Sequence, residues 1–70
     1  MKKINPNKLY HSKWTAVQPR NKEKHFMVTQ LLRDEEERVV EVIIEAIHSQ
    51  REIILPWHEL KDDSVWKMGW

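Results

Sequence analysis

Four tryptophans, at positions 14, 57, 66 and 70, stand in a chain that carries twelve lysines and arginines. Indole faces beside cationic side chains bind π-systems and cations, and such pairings hold single-stranded nucleic acid in small β domains. Lys13, Arg20, Lys22 and Lys24, with His25, flank Trp14 and Tyr10 in sequence and could form a phosphate-facing patch. The candidate binding residues are therefore Lys13, Trp14, Arg20, Lys22, Lys24, Trp66 and Trp70. The same rings serve equally well as interior, because each buried aromatic removes roughly 150–250 Å² from water. Trp14 and Trp57 are expected in the core, whereas the sequence leaves open whether Trp66 and Trp70 are core or binding surface.

Metal and covalent chemistry find little to work with. The histidines, at positions 11, 25, 48 and 58, show no close ligand spacing, and the chain has no cysteine, so no metal and no cofactor are expected. Ser12, Ser49, Ser64, Thr15 and Thr29 are the hydroxyl nucleophiles apart from Tyr10, and none lies in a nucleophile elbow. A chain with one glycine holds no glycine-rich phosphate loop. No catalytic residue is assigned, and the protein reads as a non-enzyme. Asp34-Glu35-Glu36-Glu37 and Asp62-Asp63 read as solvated acidic surface.

Seventy residues make room for one core, in a chain that buries only about 60% of its unfolded surface. Without a disulfide, stability must come from large side chains or from a partner subunit. Hydrophobic and charged fractions of 40% and 33% belong to a folded domain with a highly charged surface. The basic start Met1-Lys2-Lys3 is followed by no apolar run, and no segment reaches membrane-spanning length. The expectation is a cytoplasmic protein with no membrane association. Charge is uneven along the chain: residues 1–33 carry +7 and residues 34–70 carry −6. In a small domain the two halves are expected to lie against each other.

Residues 1–9 read as a flexible leader, and residues 10–70 as a single tryptophan-rich domain. Lys13 to Val17 is a short strand candidate ended by Pro19. Phe26 to Leu32 is a second, with Phe26, Val28, Gln30 and Leu32 on one face and Met27, Thr29 and Leu31 on the other. The stretch from Asp34 to Gln50 supports two readings. Val40, Ile43, Ile44 and Ile47 have helical spacing behind an Asp34–Glu37 capping box. Six β-branched residues between Val39 and Ile47, with Glu41 and Glu45 alternating among them, favour a strand. On the strand reading Asp34 to Arg38 is a hairpin loop and Ser49-Gln50 starts a second turn into Glu52 to Leu55, although neither turn contains the usual glycine. Pro56 opens a short helical turn over Trp57–Lys61, and Gly69 lets the aromatic tail fold back.

Taken together, Ser12-Lys13-Trp14-Thr15-Ala16-Val17, Asn21-Lys22-Glu23-Lys24-His25-Phe26, Glu45-Ala46, Trp57, Leu60-Lys61-Asp62, Trp66 and Gly69-Trp70 resemble a family of small bacterial tryptophan-rich proteins, a domain of unknown function. The similarity spans about Asn5 to Trp70. It implies no activity, cofactor or partner. It does imply a glycine near Glu37, which supports a turn there, and this sequence has glutamate instead.

The fold class expected is mainly β: a small curled antiparallel sheet of three or four strands, an SH3-like half-barrel, with a short helical turn and a C-terminal aromatic tail. The alternative is α+β with residues 35 to 49 helical. The function expected is a non-catalytic protein-interaction module or small homo-oligomer, through an unknown protein partner or self-association. The alternative is an RNA- or single-stranded nucleic-acid-binding module.

Overall fold

Val39 to Ala46 forms a strand, as its β-branched composition favours, and the helical alternative over residues 35 to 49 is thereby overturned. The protein is described by a computed structural model over residues 4–70. Its strands are β1 (Lys13–Arg20), β2 (Glu23–Arg33), β3 (Val39–Ala46), β4 (Glu52–Pro56) and β5 (Trp66–Met68). All pair antiparallel in one sheet of order β4-β3-β2-β1-β5. The mainly β class holds, with two corrections. There are five strands rather than three or four, the last taken from the expected aromatic tail. The sheet is also open and uncurled rather than a half-barrel, because β4 and β5 stand at opposite edges of a body measuring 37 × 27 × 15 Å.

This order explains how a single sheet obtains a core. β4 ends at one edge and β5 begins at the other, so the chain between them must cross one face of the sheet. It does so through a 3₁₀ turn at Trp57–Lys61, started by Pro56 as expected, which plants Leu60 and Trp57 against that face. Beneath them lie Trp14, Phe26, Val28, Val42, Ile44, Ala46, Leu55 and Trp66, all buried. Residues 4–9 cover the same face. Of the leader expected over residues 1–9, residues 1–3 lie outside the described residues. Pro6–Lys8 is a 3₁₀ turn capped by Asn5, Leu9 is buried and Ile4 packs against the core.

Besides a register shift between Leu32 and Arg33 at the end of β2, two irregularities depart from simple alternation. β1 continues through Pro19, which was expected to end it. Its pairing with β2 is irregular between Thr15 and Arg20, and β5 reaches only as far as Ala16, so a residue without an N–H is tolerated there. In β2 a bulge between Val28 and Gln30 shifts the register. Leu31 therefore joins the core side while Gln30 is exposed, the reverse of the faces that strict alternation assigns them.

The turns manage with scarcely any glycine. Asn21 and Lys22 sit at φ 54° and 62° between the paired Arg20 and Glu23, the two left-handed residues that a type I′ hairpin turn requires. Glu37 occupies the same region at φ 63°, where a side chain costs roughly 1–2 kcal/mol. The Asp34 carboxylate offsets that strain by accepting from the N–H groups of Glu36 and Arg38, each at 2.9 Å. These bonds, that of Arg38 foremost, hold the Asp34 carboxyl below its ordinary value. Gln50, at φ 60°, closes the β3–β4 turn.

Candidate interaction surface

Residues directly opposed across antiparallel strands share a face, so the register fixes what each side of the sheet displays. Trp14 pairs with Phe26, and Phe26 with Ala46; this is the inner, covered face. Trp14 is 0% exposed, and its Nε1 donates to the Ser12 hydroxyl at 2.8 Å, which in turn donates to the Leu9 carbonyl at 2.5 Å. Trp66 is 7% exposed and meets Phe26 edge-to-face at 5.0 Å. Both rings belong to the interior.

The outer face is built by the alternate residues. One row crosses four strands as Lys13, Met27, Glu45 and Glu52. Beside it lie Lys67, Thr15 and His25. On the other side, Ile43 pairs with Ile54 and Glu41 with Pro56. Ile54 is 58% exposed. Cations thus occupy the β1–β5 side of this face and carboxylates the β3–β4 side.

Trp70 reaches the outer face although Trp66, four residues earlier, faces inward. Gly69 takes φ +87°, a conformation that turns the chain out of the strand. The Gly69 N–H donates to the Lys13 carbonyl at 2.7 Å, and the Thr15 hydroxyl donates to the Gly69 carbonyl at 2.5 Å. The indole then lies beside His25, ring centroids 5.5 Å apart, with its Nε1 donating to the Phe26 carbonyl at 2.9 Å. The Lys13 ammonium sits 4.8 Å from the ring centroid, within cation–π range. Trp70 remains 54% exposed. With Lys24, His25 and Lys67 it borders a shallow recess of about 360 Å³.

Of the candidate binding residues, Lys13, Lys24 and Trp70 are brought together. Trp14 and Trp66 are not, since both are interior. Arg20 borders a separate recess of about 290 Å³ with Gln18, Glu23 and Arg51, and Lys22 sits in the β1–β2 turn. Lys67 and Thr15 were not among the candidates; pairing of β5 with β1 brings them in, which a local reading of the tail does not reveal. The alternation of Glu41 and Glu45 fits a strand with a solvated face, but their place beside the cations, together with Glu52, emerges only from the register.

At the second recess lies Glu23, 3% exposed and the one buried charge among the described residues. Arg51 clasps it, with Nε 3.0 Å from Oε2 and a terminal guanidinium nitrogen 2.5 Å from Oε1. The Ser49 hydroxyl donates to the same carboxylate. Hydrogen bonds from Arg51 first and Ser49 second outweigh burial and bring the carboxyl from 4.5 down to about 2. The carboxylate is a structural tie between the β1–β2 hairpin and the β3–β4 turn. Among the described residues no three His, Asp or Glu side chains are placed to hold a metal ion, and no helix is long and apolar enough to cross a membrane.

Comparison with curated proteins and with solved structures finds no match. Residues 12–70 match the family described as Tryptophan-rich protein (DUF2389), a span that runs from the serine under Trp14 to the exposed indole of Trp70. The chain belongs to this tryptophan-rich family.

Proposed function

We propose that the domain is a non-catalytic protein-interaction module that works through the outer face of its sheet. The observation that carries this reading is the asymmetry of the two faces. The inner one is closed by the crossover and the N-terminal turn, while the outer one exposes Ile54 and Trp70 with Met27 and Ile43 between them. An aliphatic and aromatic strip rimmed by charge is the usual composition of a contact surface. A photo-crosslinking residue placed at Ile54 is expected to give discrete protein adducts in cells, and the same residue at Lys22, in the β1–β2 turn, none. Adducts from neither position, or equally from both, contradict the assignment.

A second reading, single-stranded nucleic-acid binding, draws on the half-exposed Trp70 among Lys13, Lys24, His25 and Lys67. Two features weigh against it. Lys13 already covers the indole, which reduces the surface left for a base to stack on, and Glu45 and Glu52 share the face and repel phosphate.

A further inference from the structure

Resting on the reading of the outer face as a contact surface, we propose that its occupant is a second copy of this chain, bound about a twofold axis parallel to the strands. The starting point is charge that finds no counter-ion within the molecule, although Lys13 also lies over the Trp70 ring. Among the described residues, Lys13, Lys67, Glu41, Glu45 and Glu52 form no ion pair. They cannot easily reach one another, because Lys13 on β1 and Glu45 on β3 are separated by β2, two strand spacings or about 10 Å.

A twofold axis running along β2, in the plane between two such faces, exchanges left for right while keeping each row level. It lays β1 of one copy over β3 of the other, and β5 over β4. Lys13 and Glu45, which lie in one row on either side of Met27, then meet Glu45 and Lys13 of the second copy. Lys67, on β5 and one row along, lies about 7 Å out of level with the second copy's Glu52 on β4, within reach of its long side chain. Every pairing occurs twice, as an isologous contact requires. Met27 lies on the axis and meets its own equivalent, and Ile43 and Ile54 are carried toward the Trp70 side. The opposite register, β1 over β1, would set lysine on lysine and is disfavoured.

Area permits the contact. The 37 × 27 Å face spans roughly 1,000 Å², compared with about 800 Å² per partner in a standard interface. A chain this short, without a disulfide, is also among those that commonly gain stability by oligomerising.

Sedimentation velocity on the purified full chain tests this, alongside Lys13→Glu, Glu45→Lys and the double exchange. Wild type is expected to dimerise, more weakly as salt is raised. Each single exchange should weaken association roughly tenfold or more, since it creates two like-charge contacts per dimer, and the double exchange should recover it to within roughly threefold. Circular dichroism establishes that the variants fold, and the salt dependence of wild type requires no variant. A wild type monomeric up to roughly 1 mM, the weak end of specific association, overturns self-pairing, as does a double exchange that fails to rescue. If that monomer still yields Ile54 adducts with other proteins, the interaction reading survives without the dimer; if it yields none, both fall. A monomer whose tryptophan emission is quenched by a single-stranded oligonucleotide, steeply less so with salt, overturns self-pairing in favour of nucleic acid.

Discussion

Replacing Trp14 with alanine is expected to remove most of the domain's stability and to lower its urea midpoint sharply. The ring is fully buried, in contact range of β2 and β5 by register, and truncating a buried aromatic costs about 3–5 kcal/mol. A seventy-residue domain has roughly 4–10 kcal/mol in total, so one such loss removes most of the margin. The substitution also strips the Ser12 hydroxyl of its indole donor. Trp14→Phe keeps most of the buried area and forfeits mainly the hydrogen bond, and it should fold with a stability lower by about 1–2 kcal/mol. Trp70→Ala, by contrast, removes a half-exposed ring and should shift the urea midpoint much less. Equal midpoints for Trp14→Ala and Trp70→Ala would refute the division of the indoles between the two faces.

Acidification should reveal the Glu23 tie. Its carboxyl titrates at about 2 in the folded protein, against 4.5 as the ordinary value. The folded value is the lower one, so the unfolded chain binds the proton more readily. The contribution to stability is therefore fully present above about pH 4.5 and is lost as pH falls toward 2. The Tm should decline across that window more steeply in wild type than in Glu23→Gln, which has no carboxyl to titrate there. At neutral pH Glu23→Gln should itself be less stable than wild type, because Arg51 and Ser49 lose a charged acceptor. Arg51→Ala should be less stable as well, since it leaves a 3%-exposed carboxylate without its cation. Parallel Tm profiles for wild type and Glu23→Gln below pH 4.5 would remove the tie from the account of stability.

Much of this architecture is legible in the sequence, and the reasons are local. Val39, Val40, Val42, Ile43 and Ile44 declare a strand because branching at Cβ suits a pleated surface better than a helix. Pro56 marks the following turn because it has no N–H to offer a ladder. What escapes the sequence is whatever depends on register. The bulge after Val28 exchanges the expected roles of Gln30 and Leu31. Pro19 survives in β1 only because its neighbours leave it unpaired. Trp66 and Trp70 are four residues apart, a spacing that simple alternation places on one side. The pairing of Trp66 with Ala16 puts it inside, and Gly69 sends Trp70 out. The candidate site divides for the same reason: Lys13, Lys24 and Trp70 converge, whereas Trp14 and Trp66 are withdrawn into the core.

The charge asymmetry is likewise visible as a sum and hidden as a pattern. Opposite halves were expected to attract each other across the fold, but the ion pair that joins them among the described residues, Glu23 with Arg51, links the basic half's single acid to a base of the acidic half and so neutralises neither excess. On the outer face, however, the two signs stand side by side in one row, separated by Met27. That arrangement follows from strand order, and strand order depends on long-range pairings that no short window of sequence contains.

The division of the tryptophans between two faces is tested most directly by 5-fluorotryptophan labelling. The four ¹⁹F resonances would be assigned by single Trp→Phe substitutions and recorded with a soluble paramagnetic agent in high salt, where contact between copies is weakest. A two-faced sheet requires the Trp14 and Trp66 lines to stay sharp while that of Trp70 broadens first. Broadening of Trp14 as readily as Trp70 would mean that the interior described above does not exist.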